Sequence, residues 1–269
     1  MARDMMTTKK MVVWVLGLWL AGAVGAWAQI IVTNTPVSDA FVRSLVPTNN
    51  YGAAGALSVS GPIATNTMGQ QEGLLDSFLQ FNVTNAVNSF NSSLGAGQWA
   101  ISSVTLTLTA QTPNNNVFNL GSGTFQVDWI GNNSWQEGTG TPASPTTNGI
   151  TYAQEPSILN PSVDESLGTF NYNGATSGQV RLTFGLPSGF ISEISTGGLV
   201  SFYMTATTNS TVGFTFNSRN FTTSADWPAL DITAVAVPEP STVALLGLSC
   251  MVLAAIGRRR GKSAHDATD

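Results

Sequence analysis

The sequence predicts an all-β fold, a single antiparallel β-sandwich of jelly-roll type, and three observations carry that expectation. Apolar and polar residues alternate in six separate segments, the polar partners are mostly threonine and serine, and turn-forming clusters lie between the segments. Period two is the repeat of a strand with one buried and one wet face. Threonine suits the wet face because its β-branch packs well on a pleated surface.

The segments run in order along the chain. Val104, Leu106, Leu108 and Ala110 alternate with Thr105, Thr107 and Thr109, and Phe125, Val127 and Trp129 alternate with Gln126 and Asp128. Val180, Leu182 and Phe184 flank Arg181 and Thr183. Val200, Phe202, Met204 and Ala206 put Ser201, Tyr203 and Thr205 on the opposite face. Val212, Phe214 and Phe216 follow, and Leu230, Ile232 and Ala234 close the series. Asn114-Asn115-Asn116, Ser122-Gly123 and Gly131-Asn132-Asn133 punctuate them as turns. Only Phe190 to Ile194 reads as helical, for about one turn. The polar stretch from Gly131 to Asn148 reads as a mobile loop. Roughly nine or ten strands over about 200 residues fit one sandwich.

Charge placement separates a body from two ends. Between Gln29 and Val237 there are eleven acidic residues and only three basic ones, Arg43, Arg181 and Arg219, a net charge of −8. Nucleic-acid binding needs clustered Lys and Arg, so nucleic acid is excluded as a partner. The one cysteine, Cys250, and the one histidine, His265, both lie beyond the body. The body therefore has no disulfide, no Ser-His-Asp or Cys-His nucleophile, and no imidazole or thiolate for zinc.

The first ten residues carry Arg3, Lys9 and Lys10, and Met11 to Gly25 is apolar. Ala26 and Ala28 then place small residues at both positions that signal peptidase reads, just before Gln29. This is a secretory signal peptide over residues 1–28, too short for a span that stays. At the other end Val237-Pro238-Glu239-Pro240-Ser241 precedes an apolar run from Thr242 to Gly257 and then Arg258, Arg259 and Arg260. Sixteen helical residues span only ~24 Å at ~1.5 Å each, short of a ~30 Å hydrocarbon core. The arginines act as a stop-transfer signal on the cytoplasmic side. Pro238 and Pro240 keep the chain before the span extended, the form a protease or transpeptidase can grip.

Motif, short apolar helix and arginine cluster in that order resemble the PEP-CTERM sorting signal, here over residues 237–260, with 261–269 as a cytoplasmic tail. The resemblance implies an inner-membrane-tethered precursor and recognition by an exosortase. It also implies cleavage at or near Pro238-Glu239-Pro240 and release to the cell envelope or to extracellular polysaccharide.

The body, residues 29–236, has its own ordered landmarks. They are Asp39-Ala40-Phe41-Val42-Arg43, Asn50-Tyr51-Gly52, Ser77 to Val83, and Ile101 to Leu106. Trp135-Gln136-Glu137, Ile150-Thr151-Tyr152, Phe216-Asn217-Ser218-Arg219 and Trp227-Pro228-Ala229 follow. The series resembles the DNRLRE domain, a β-sandwich of secreted and surface proteins related to certain carbohydrate-binding modules. Gln80, Asn82 and Asn220 stand where that resemblance leads one to expect arginine, aspartate and an acid. The resemblance implies a fold and a polysaccharide-associated setting, without a known ligand.

What chemistry remains is that of carboxylates. A glycosidase needs two acids across a cleft, and eleven acids offer many formal pairs. Asp128 and Glu137 are one, set near each other by the Gly131–Ser134 turn, with Trp129 and Trp135 as sugar platforms for a glycosidase or lyase. A wet-face aspartate and core tryptophans explain the same residues more simply, and no catalytic residue is assigned. Asp164-Glu165 and the Asp39 region offer oxygen ligands for calcium, but neither has a dedicated loop's dense acidic spacing, so no metal or cofactor is assigned. Trp135 in a loop and Tyr203 on a wet strand face are the candidate ring platforms for a glycan, with Tyr51, Tyr152 and Tyr172 as further exposed aromatics. The expected role is non-catalytic, structural or adhesive, with a carbohydrate-binding module as the alternative.

Overall fold

The computed structural model describes residues 28–237 and 247–253. Ala26, the sorting-motif residues Pro238, Glu239 and Pro240, and the stop-transfer residues Arg258, Arg259 and Arg260 lie outside the described residues. Among the described residues the strands are β1 (Gln29–Asn34), β2 (Pro36–Arg43), β3 (Ala56–Ser60), β4 (Leu75–Asn82), β5 (Trp99–Thr109) and β6 (Gly123–Ile130). They continue as β7 (Glu165–Tyr172), β8 (Gln179–Thr183), β9 (Leu199–Ala206), β10 (Gly213–Asn217) and β11 (Ala229–Ala236). The helices are α1 (Thr84–Leu94), the single turn α2 (Glu155–Ile158) and α3 (Ser188–Thr196). Residues 247–253 are helical and expose Leu248, Met251, Val252 and Leu253, and no described helix is long and apolar enough to cross a membrane.

Every strand pairing is antiparallel, and the strands form the two layers of a sandwich. One sheet has the order β1-β11-β5-β8; the other has the order β10-β3-β4-β9-β6-β7, with β2 also paired to β4. The inward faces meet in one core that includes Phe81, Phe125, Phe202, Phe214 and Phe216 from the larger sheet, and Val104, Leu106, Leu182 and Ile232 from the smaller. Apart from Phe81, which lies outside the alternating segments, these inward residues are the ones the period-two pattern assigns to one face.

The outward faces of the two sheets differ. On the smaller sheet the threonine face is partly wet: Thr33 donates to Asp231 Oδ1 at 2.6 Å, Thr105 pairs with Thr183 at 3.3 Å, and Arg181 meets Asp231 at 3.5 Å, while Thr107 and Thr233 are buried. On the larger sheet seven of the eight residues of β4 are buried, and all five of β3 and of β10. Over β2, β4 and β9 that outward face is covered by chain, so alternation there does not separate core from water, whereas Ser166, Thr169 and Asn171 of β7 remain exposed.

Both longer helices close the sandwich. The sequence Thr84–Leu94 is rich in Asn and Ser, which favour turns over helix interiors, and it did not read as helical. It is helical because Ala86, Val87 and Phe90 fall on one face and are buried, with Phe90 5.1 Å from Trp99; tertiary burial outweighs propensity. The turn expected at Phe190 to Ile194 extends to nine residues. Its start is satisfied by the Glu165 carboxylate, which accepts the amides of Gly189 at 3.2 Å and Phe190 at 2.9 Å, a favourable place for an anion.

The segment after β6, expected to be mobile, is pinned. Asn50 is fully buried, and its Nδ2 donates to the carbonyls of Glu137 at 2.7 Å and Ile150 at 2.8 Å. Its Oδ1 accepts the amides of Gly52 and Gly140, both at 3.1 Å, and its backbone amide donates to Thr146 O at 2.7 Å. Glycine is required where the backbones touch: a Cβ on Gly52 would lie 1.8 Å from Glu137 O, and Gly138, at φ +80°, would meet Asn148 O at 2.0 Å. Beside them Arg219 Nη1 reaches Glu137 Oε2 at 2.5 Å, Asp39 accepts the Arg219 amide at 2.6 Å, and Asn220 donates to Gly52 O and Glu137 Oε1. Asn50→Ala strands two buried carbonyls, so it should lower unfolding stability by about 3 kcal/mol or more in urea titration. Gly52→Ala should do at least as much harm, whereas Gly69→Ala, with open space around it, should cost far less.

Candidate functional site

The pinned segment, 131–164, lies over the outward face of the larger sheet. β2 presents Ala40 and Val42, β4 presents Phe78, β6 presents Ile130 and β9 presents Tyr203; Trp135 and Ile150 come down from the segment to form a second buried cluster. Phe78 is its hub, 5.6 Å from the Trp135 ring and 5.1 Å from the Tyr203 ring.

This corrects the placement of both candidate platforms. Trp135 is 5% exposed and donates Nε1 to Ser201 Oγ at 3.0 Å; Tyr203 is 9% exposed. Tyr203 does point to the outward face, but chain rather than water covers it. Neither ring offers a free face for sugar stacking. Tyr51, stacked on Phe41 at 4.5 Å, and Tyr172 are buried too, while Tyr152 is half-buried at the edge of the second cluster. Trp129 is also a core residue, its indole donating to Glu193.

The carboxylates sort into separate environments. Glu137 is committed to Arg219, Asp39 and Asn220, while Asp128 on β6 accepts Gln126 Nε2 at 2.6 Å. They have no hydrogen-bond partner in common. The oxygens of Asp164 accept the amides of Gly131 and Asn160, and those of Glu165 cap α3. Asp164 and Glu165 thus spend their oxygens on backbone donors, whereas Asp39 accepts the Arg219 amide through Oδ2 alone. Gln80, where arginine was expected, donates to Asn133 O and Ser201 Oγ, so neutral hydrogen bonds hold that position.

Sequence reasoning missed Asp76 and Glu155. Asp76 is 1% exposed on β4, Glu155 is 6% exposed on α2, and the two carboxyl groups are hydrogen-bonded to each other beneath the segment. Thr205 and Tyr203 also bond Asp76, and Tyr152 faces the pair; no Lys or Arg does. Burial pushes Asp76 up to about 7, and burial reinforced by the Asp76 charge pushes Glu155 up to about 9. Burial likewise pushes Asp39 up to about 8. Nothing in the sequence pairs residues 76 and 155; only the cover over the sheet brings them together.

Along the edge of this cover runs a polar groove. Its main part, about 620 Å³, lies between Gly131–Ser134 and the stretch from Ser157 to Asp164. One extension of about 310 Å³ passes Asp164 to Gln126, Asp128 and the edge of Tyr203; another of about 230 Å³ reaches Trp135 and Gln154. Amides, hydroxyls and carboxylates line it together with Ile130, Ile158, Leu159 and Val163, and among the described residues no basic side chain does. The amide Nδ2 groups of Asn132 and Asn160 make no hydrogen bond within the described protein, while their oxygens brace the loops they sit in.

The other functional region is where the chain enters and leaves the sandwich. Ala28 is exposed just before β1, and β11 ends at Ala236 on the neighbouring strand. Residues 236–260 match the PEP-CTERM protein-sorting motif. The chain carries an exosortase sorting signal. A PEP-CTERM signal marks an exported protein whose membrane-anchored precursor is processed. No curated protein shows a matching sequence.

The buried acids give a pH dependence whose sign follows from their direction. Their folded pKa values lie above the unfolded carboxylate range near 4, so the native state binds protons the unfolded state has lost. That stability is fully present below about pH 4 and disappears as pH rises through about 7 to 9. Melting temperature should therefore fall between pH 6 and 9.5. Glu155→Gln, which keeps a donor to Asp76 but removes one titration, should flatten the fall by up to about 1.4 kcal/mol per pH unit. Calorimetry across that range checks it.

Proposed function

We propose that this is a non-catalytic structural or adhesive protein of the cell envelope or extracellular matrix, a DNRLRE-like sandwich that associates with exopolysaccharide. The sorting signal at 236–260 carries the reading, because it delivers the body to the compartment where such polymers lie. The body supports it. Most of its acids already have structural partners: Asp164 and Glu165 accept backbone amides, Glu137 meets Arg219, and Asp76 bonds Glu155, while Asp128, which lines the groove with Asp164, accepts Gln126 Nε2. The convergence of Asp39, Asn50, Gly52, Glu137 and Arg219 on one lock gives the resemblance landmarks a shared structural purpose.

A second reading, a carbohydrate-binding module with one defined site, is favoured by the groove. Planar amides and hydroxyls suit sugar hydroxyls, and the absence of basic lining together with a net charge of −8 on the body suits a neutral polymer. Affinity electrophoresis separates the readings. A neutral glucan or mannan in the gel should retard the protein, and alginate should not. For a defined site, Asn132→Ala with Asn160→Ala should weaken retardation about tenfold, the loss of two hydrogen bonds; diffuse adhesion would leave it nearly unchanged. Retardation by none of the polymers would remove the polysaccharide association altogether.

A further inference from the structure

The two processed ends of this chain are hydrogen-bonded neighbours. β1 and β11 pair from Asn34 opposite Leu230 out to Gln29 opposite Val235. Two more bonds extend the hold beyond the ladder: the Ala236 amide donates to Ala28 O at 3.0 Å, and the Val237 amide donates to Gln98 O at 2.8 Å. Ala28 is the residue whose carbonyl forms the expected signal-peptidase bond. Ala236 is the first residue of the matched sorting signal. The fold therefore grips the chain up to Val237, and Pro238 follows at once.

An enzyme that cuts an extended chain must hold several residues on each side of the bond. At ~3.3 Å per residue, a bond at or near Pro238 sits within two or three residues of the sheet edge, so the folded body denies the enzyme its upstream grip until β11 frays. Hydrolysis of the Ala28–Gln29 bond adds water across it. Ala28 departs as a carboxylate on the signal peptide, and Gln29 keeps an ammonium group. The acceptor of the Ala236 amide leaves with Ala28.

We infer that removal of the signal peptide loosens the exit strand on its β1 side, while β5 and Gln98 still hold the other side, so that sorting of the folded protein is speeded by the earlier cut at the other end of the chain. This rests on the sorting and signal-peptide readings above. Loss of one backbone hydrogen bond at a strand end favours its opening about fivefold, and C-terminal processing should respond by a similar factor.

The test is pulse-chase labelling of the full-length chain in cells that carry an exosortase, with both ends followed by mass. Ala28→Leu places a bulky residue before the signal-peptidase bond, blocking that cut while keeping the carbonyl. The blocked precursor should lose its C-terminal segment about fivefold more slowly than the unaltered chain. Because an uncleaved signal also tethers the N-terminus, the same variant is made with three glycines inserted between Val237 and Pro238. The insertion should restore the unaltered rate, with protease resistance of the body confirming that both variants fold. Equal rates for the blocked and unaltered chains, or no rescue by the insertion, would overturn the clasp while leaving sorting intact. An unaltered chain that is never cut at its C-terminus would overturn the sorting reading and the clasp with it.

Discussion

Asn50 holds the architecture of the functional face in place. One amide side chain with four hydrogen bonds ties Gly52, Glu137, Gly140 and Ile150 together, and its backbone adds Thr146. If that attachment loosens, the 131–164 segment no longer covers the larger sheet. Phe78, Tyr203 and Trp135 then lose their shelter, Glu155 loses its place over Asp76, and the groove loses a wall. The lock uses an uncharged group for most of this work, in keeping with a body that has only three basic residues. A neutral donor and acceptor satisfy buried backbone without the desolvation cost an ion pair brings.

The same economy of positive charge explains the unusual state of the acids. Arg43 is committed to Glu72, Arg219 to Glu137 and Arg181 to Asp231. Asp76 and Glu155 have no cation left to neutralise them, and proton sharing is the remaining way to keep two carboxyl groups under cover. Arg219 brings Asp39 a backbone amide as well as a nearby charge, yet burial still outweighs both.

Much of the fold was legible because strands announce themselves by parity. Val200, Phe202 and Met204 face the main core as their spacing predicts, and Tyr203 faces away from it. What parity does not encode is what lies on the far side. Tyr203 and Trp135 read as exposed because local sequence contains nothing about which distant strands and loops pack against them. Thr84–Leu94 failed to read as helix because its stability comes from three buried side chains and not from its composition. The lock was present in the sequence as the landmarks Asp39, Asn50, Gly52, Glu137 and Arg219, but their meaning depends on contacts spanning as many as 180 positions. The groove, built from ordinary Asn, Ser and Asp residues in loops, left no periodic trace.

The closeness of the two ends also determines how the protein bears force. A precursor anchored beyond its C-terminus and free at its N-terminus would hang as a pendant: tension on the anchor would not pass through the sandwich from end to end. A polymer pulling on the groove would instead load the larger sheet and reach the anchor through the core and β11. Because β11 is flanked by β1 on one side and β5 on the other, it is an interior strand of its sheet. Tension at its exit would have to peel it from two neighbours at once, one rung at a time, before the body could come undone.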